Sequence, residues 1–70
     1  MAARQSAPLS PFDVLQAALR REKSSYAFYD GLLRRSSTVD FLSDLLEELR
    51  DAEFHHIKMI EKKIAGMERG

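Results

Sequence analysis

Apolar residues recur at three- and four-residue spacing in two long stretches of the chain, which predicts two α-helices. The first stretch begins at Ser10 and Pro11, a serine cap followed by a proline at the first helical position, and Asp13 lies three residues after the cap. No helix breaker follows before two consecutive arginines, so the first helix is predicted over about residues 11–35. Its apolar positions are Phe12, Leu15, Leu19, Tyr26, Tyr29 and Leu33.

The second stretch follows another cap signature, Ser37 with Asp40 three residues later, and predicts a helix over about residues 38–67. Residues 1–9 show no such period, so we expect a flexible N-terminal arm ahead of a helical unit over residues 10–68. The apolar positions of the second helix are Leu42, Leu45, Leu46, Leu49, Ala52, Ile57, Ile60, Ile64 and Met67.

The linker between the two predicted helices is only two or three residues long, which forces an antiparallel hairpin. A chain of 70 residues buries only about 60% of the surface that it exposes when unfolded. Two helices alone also leave part of each apolar stripe uncovered, whereas two hairpins docked together close a four-helix core. The prediction is therefore an all-α hairpin that forms a homodimer or a larger even-numbered homo-oligomer.

Composition narrows the chemistry of any site. The chain has no cysteine, which excludes disulfides, iron–sulfur clusters and thiolate metal sites. Eleven basic residues balance eleven acidic ones, so we expect no nucleic-acid or anionic-membrane partner. No apolar run approaches the roughly 20 residues that span a bilayer, and the N-terminus lacks the apolar core of a secretory signal. A cytoplasmic protein is the expectation, and any metal must bind oxygen and nitrogen ligands.

Three ionisable residues stand where the pattern calls for apolar side chains. Glu22 and Glu53 each interrupt a seven-residue apolar series, and His56 ends a neighbouring series in the second helix. Folding the chain between residues 36 and 37 places Glu22 opposite position 51, about 3 Å along the axis from Glu53. Glu53 and His56 project from adjacent turns of one helix. All three side chains are therefore expected at one level of the hairpin.

A two-fold dimer would bring together four of these glutamates and two of these histidines. Buried carboxylates need compensation, and four negative charges match two divalent cations. Four-helix bundles with di-iron or di-manganese sites use this ligand set. Glu22, Glu53 and His56 are therefore the predicted metal ligands, with two Fe ions per dimer and with Mn or Zn as alternatives. The competing interpretation is a non-catalytic helical dimerisation module, in which the cluster fixes the register of the helices.

Glu22 with Tyr26, Phe28 and Tyr29, followed after a short turn by Glu53-Phe54-His55-His56, resembles one half of a rubrerythrin-type, ferritin-like di-iron domain over about residues 12–65. The single-hairpin length is similar to that of the encapsulated ferritins, which build their iron site across a dimer interface. The resemblance implies a ferritin-like four-helix bundle that binds iron and oxidises Fe(II) with dioxygen or peroxide, as a ferroxidase or peroxidase.

Two departures limit what the resemblance implies. The chain has no cysteine-ligated rubredoxin module, so a complete peroxidase cycle would need an external reductant. No recognisable shell-targeting tail follows Gly66, so the resemblance does not extend to a location inside a protein shell.

Other polar residues receive plainer interpretations. Tyr29, one heptad after Glu22, is a candidate hydrogen-bond donor to a ligand carboxylate, and packing accounts for its ring equally well. Tyr26 is a second candidate, for which packing is the better account. His55 is expected on the surface. The remaining charged residues of the second helix are expected on solvated faces. They are Glu47, Glu48, Arg50, Asp51, Glu61, Lys62 and Lys63.

Overall fold

The computed structural model describes residues 9–35 and 40–69, and it confirms the all-helical hairpin. Helix α1 covers Pro11–Arg35 and helix α2 covers Asp40–Arg69. The two helices pack against each other along their length. The predicted cap at Ser37 and most of the predicted N-terminal arm lie outside the described residues. Neither of the described helices has an apolar stretch long enough to cross a membrane.

The first turn of α1 has the hydrogen bonds that its sequence predicts. The Asp13 amide donates to Ser10 Oγ at 3.1 Å, and the Ser10 amide donates to Asp13 Oδ2 at 3.4 Å. This reciprocal pair satisfies two amides at the helix start that have no partner within the helix. The Val14 amide also donates to the Ser10 carbonyl oxygen at 3.0 Å, so helical hydrogen bonding begins at the cap.

A seam of half-buried side chains joins α2 to α1. Within the described residues, only Ile57 and Ile64 are buried, and no residue of α1 is. A hairpin with so few buried side chains gains little hydrophobic stabilisation by itself. The α2 positions on the seam repeat every three or four residues, as expected for one face of a helix. They are Ser43, Leu46, Arg50, Glu53, Ile57, Ile60, Glu61 and Ile64.

One side of the hairpin carries a strip of exposed side chains that are mostly apolar. At 100° per residue, and with the helices antiparallel, these positions of α1 and α2 fall on the same side of the two-helix layer. Phe28 is 61% exposed and Met59 is 67% exposed. We call this strip the open face. Its members are Val14, Arg21 and Phe28 on α1, and Leu45, Leu49, Ala52, His56, Met59 and Lys63 on α2.

An ion-pair network links the helices on the side away from the open face. Arg50 Nη1 donates to Asp30 Oδ1 at 3.3 Å across the hairpin, and Arg34 Nε donates to Asp30 Oδ2 at 2.8 Å within α1. Hydrogen bonding from Arg34, assisted by Arg50, lowers the pKa of Asp30 below its ordinary value of 3.8. The prediction of fully solvated faces is wrong for Arg50 and Glu61, because both residues lie half-buried on the seam. Arg50 lies seven residues before Ile57 and reaches across to α1.

Candidate metal centre

Glu22, Glu53 and His56 come together near the middle of both helices. His56 Nδ1 lies 3.2 Å from Glu22 Oε1 across the hairpin and 3.5 Å from Glu53 Oε1 within α2. One potential ligand atom from each of the three residues lies within 4.8 Å of the other two. The helices achieve this because Glu22 and Glu53 occupy the facing seam positions, and His56 is one turn beyond Glu53 on α2.

The cluster lies at the border between the seam and the open face. The side chains of Glu22 and Glu53 are 26% and 20% exposed, whereas His56 is 51% exposed. His56 is itself a member of the open face, so anything that covers this face also covers the cluster. In the hairpin described here, all three side chains remain partly exposed to solvent.

The two carboxylates titrate as a pair. Hydrogen bonding with Glu53 lowers the pKa of Glu22 below its ordinary value of 4.5, and hydrogen bonding with His56 lowers it further. Desolvation raises the pKa of Glu22, but by less than the Glu53 contact lowers it. Hydrogen bonding with Glu22 raises the pKa of Glu53 above 4.5, and desolvation raises it further. Glu53 therefore keeps its proton to higher pH, while Glu22 ionises first.

The two distances from His56 to the carboxylates are those of neighbouring ligands around one divalent ion. Metal–oxygen and metal–nitrogen bonds are about 2.0–2.2 Å long, so neighbouring ligands around one ion are separated by about 3.0 Å in an octahedron and about 3.4 Å in a tetrahedron. The two contacts of His56, at 3.2 and 3.5 Å, match this separation. Two carboxylates and one imidazole are ligands that iron, manganese and zinc accept. One chain thus provides three protein ligands and leaves further coordination positions open.

The two tyrosines do not contact the cluster carboxylates. The Tyr26 ring lies 6.3 Å from the Phe54 ring. The Tyr29 ring packs edge-on at 5.3 Å from Phe28. Neither hydroxyl donates a hydrogen bond to Glu22 or Glu53 in the described part of the chain, so the hydrogen bonds suggested for them are not formed here. Packing accounts for both rings.

His55 and Phe54 belong to the outer surface of α2. His55 is exposed, and its ring lies 6.4 Å from the Phe54 ring, away from the three-residue cluster. The Lys58 ammonium group lies 5.2 Å above the Phe54 ring. Phe54, His55 and Lys58 therefore contact one another on the outer surface of α2, although they are close to Glu53 and His56 in sequence.

The contact between Arg50 and Asp30 is the positioning element that was not predicted. Arg50 precedes Glu53 by three residues, so its 3.3 Å contact with Asp30 helps to fix the height of Glu53 relative to α1. The sequence does indicate this contact, because Arg50 lies seven residues before Ile57 and so occupies a seam position. A charged residue at a seam position needs a partner on the facing helix.

No protein-family model, curated protein or solved structure matches the chain. The resemblance to rubrerythrin-type domains therefore rests on the residues quoted above. Function is argued below from the geometry and chemistry of the cluster.

Proposed function

We propose that this chain is a di-iron carboxylate protein in which Glu22, Glu53 and His56 of two copies hold a pair of iron ions. Its proposed activity is the oxidation of Fe(II) by dioxygen or peroxide, as a ferroxidase or a peroxide-reducing oxidoreductase. The observation that carries the proposal is the convergence of three ligand atoms, from both helices, within 4.8 Å of one another.

Each side chain has a distinct part in binding. Glu22 and Glu53 would bind the cation through carboxylate oxygens from the two helices, and neutral His56 would donate a nitrogen lone pair. Two copies together offer four carboxylates, whose charge two divalent ions neutralise. Two bound Fe(II) ions would supply the two electrons that reduce one hydrogen peroxide, with two protons, to two waters. An external reductant must then restore Fe(II), because the chain has no cysteine and so no thiolate-ligated electron carrier of its own.

A second function is supported by one contact. The 3.2 Å contact between His56 Nδ1 and Glu22 Oε1 links the two helices without any metal. A cluster that served only this purpose would fix the register of a non-catalytic dimerisation module. The two functions differ in one respect, because only the di-iron protein responds to metal.

The deciding experiment measures iron per chain and solution mass after purification without chelators. The di-iron protein contains about one iron per chain in an even-numbered oligomer and oxidises added Fe(II). Glu53→Ala should remove both the iron and the oxidation while leaving a helical dimer. Glu61→Ala is the matched control, because Glu61 is on the same helix and its ion pair is with Lys58 at 3.6 Å. A metal-free dimer that ignores Fe(II), or a Glu53→Ala variant with full activity, would reject the di-iron function.

A further inference from the structure

An ion pair between Arg50 and Asp30 joins the two helices on the side of the cluster nearer to the connection between them. Arg50 Nη1 donates to Asp30 Oδ1 at 3.3 Å, and the two side chains are 27% and 23% exposed. Each is also held by a neighbour on its own helix. Arg34 Nε donates to Asp30 Oδ2 at 2.8 Å, and Arg50 Nε donates to Asp51 Oδ1 at 3.3 Å. The guanidinium and the carboxylate are therefore each fixed by two contacts.

Apolar packing between the helices is thin in this part of the hairpin. Ile57 and Ile64, the buried residues of the described chain, both follow Glu53 along α2. Among the described residues of α2 before Glu53, no side chain is buried. Apolar contact is non-directional, so half-buried side chains do not by themselves stop α2 from turning about its axis. The Arg50–Asp30 pair is directional, because a hydrogen bond weakens steeply as its angle closes.

The rotation of α2 about its axis decides whether its two ligands face α1. Arg50, Glu53 and His56 are three residues apart, so they follow one another at steps of about 60° around the helix. Arg50 contacts α1 on one side of Glu53, and His56 contacts Glu22 on the other side at 3.2 Å. A rotation of about 20° moves a side-chain atom by about 2 Å, which is a whole metal–ligand bond length. We propose that Arg50 is a positioning residue of the metal site, which holds α2 at the rotation that its ligands need by binding Asp30.

The charge of Arg50 opposes cation binding, which separates its positioning role from its charge. This role rests on the proposed function, in which the cluster holds metal. Arg50 lies one turn before Glu53, and a positive charge so close repels a divalent ion. Through charge alone, neutralising Arg50 would strengthen metal binding. Loss of the contact with Asp30 would weaken it, because the ligands would no longer be held 3.2 and 3.5 Å from His56 Nδ1. The two effects have opposite signs for the same substitution.

Equilibrium dialysis of the full chain with Mn(II) measures this sign. Arg50→Met keeps a long, helix-favouring side chain without the charge, and its affinity should fall about tenfold. Arg50→Lys restores a cation within reach of Asp30 and should recover part of the affinity. Lys58→Met is the matched control, because it removes a positive charge from the same helix while the contacts of Lys58, with Glu61 and Phe54, stay within α2. Its affinity should equal or exceed that of wild type.

Two further measurements separate positioning from a general loss of stability. The double variant Arg50→Met/Asp30→Asn should bind Mn(II) no more weakly than the weaker of its two single variants, because both substitutions break the same contact. Co(II) at saturation has visible absorption bands that report its coordination geometry, and these bands should differ between Arg50→Met and wild type. A variant that was only less stable would show the wild-type bands once saturated. Arg50→Gln replaces Arg50→Met if circular dichroism shows that the latter is not helical.

The outcomes separate the positioning role from the proposed function. If wild type binds metal and the neutral variant of Arg50 binds it equally well or more tightly, the positioning role is overturned and the proposed function stands. Unchanged Co(II) bands in that variant, or losses that multiply in the double variant, would overturn the positioning role too. A wild type that binds neither Mn(II) nor Co(II) would overturn both.

Discussion

Metal binding to the cluster is expected to raise the melting temperature of the proposed dimer. The size of the rise follows from the unfolding entropy, which scales with chain length. Mn(II) is the suitable probe because it binds the same ligands without being oxidised as readily as Fe(II). At a free concentration 100 times the dissociation constant, each bound ion adds about 2.7 kcal/mol. Two ions in a dimer of 70-residue chains, whose unfolding entropy is about 0.3 kcal/mol/K, give a rise of about 18 °C.

Replacing Glu53 by glutamine tests whether the cluster is responsible for this rise. The amide keeps the size of the side chain but removes the charge. If affinity falls about 100-fold, the same Mn(II) concentration equals the new dissociation constant, and the rise shrinks to about 3 °C. Differential scanning calorimetry with and without Mn(II) measures both shifts. Glu61→Gln should retain the full wild-type rise.

The reasoning would be refuted by either of two results. One is a wild-type melting temperature that stays unchanged in millimolar Mn(II), and the other is an equal rise in wild type and Glu53→Gln. An equal rise in both proteins would mean that the ion binds elsewhere, for example among the other acidic residues of α2. Repeating the titration at several protein concentrations separates metal binding from the concentration dependence of the dimer.

Three further predictions concern the helices. Gly31→Ala should stabilise the protein by about 0.5–1 kcal/mol in urea denaturation, because a Cβ at Gly31 would meet no atom within 4 Å and alanine favours the helix. A loss of stability would show that a partner helix approaches Gly31. Ile64→Ala should lower the free energy of unfolding by about 2–5 kcal/mol in the same assay, because Ile64 is one of the two buried residues of the described chain. A loss below about 1 kcal/mol would contradict the place of Ile64 in the core. The pKa of Asp30 is lowered by Arg34 and Arg50, so its contribution to stability is present above pH 3.8 and is lost as the pH falls further. The melting temperature of wild type should therefore approach that of Asp30→Asn as the pH falls below 3.8, and a constant difference between the two would exclude this role.

Periodicity was sufficient to predict the helices and the level of the cluster. The cap at Ser10 and Asp13 depends only on local spacing, and its hydrogen bonds are formed. Folding the chain at its short linker placed Glu22 close to Glu53, because a fixed rise per residue relates sequence distance to height. His56 followed from its spacing of three residues after Glu53. These features need no knowledge of side-chain conformation.

Features that depend on side-chain conformation were not predictable in the same way. Arg50 was assigned to solvent because its charge outweighed its seam position, but its long side chain reaches Asp30 on the facing helix. The directions of Tyr26 and Tyr29 were open for the same reason, since the helical pattern fixes the face on which a ring lies and not the contact that its hydroxyl makes.

The scarcity of buried side chains also bears on when the cluster exists at all. With Ile57 and Ile64 as the buried residues of the described hairpin, the hairpin alone gains little from apolar burial, and the proposed association with a second copy would add to it. In the proposed dimer, folding and pairing would then be one concentration-dependent event, and the unfolding midpoint would rise with the amount of protein. A chain that had not yet met a second copy would then hold its three ligand side chains less firmly, because the described hairpin has so thin a core. The proposed dimer would in this way favour iron binding by assembled protein.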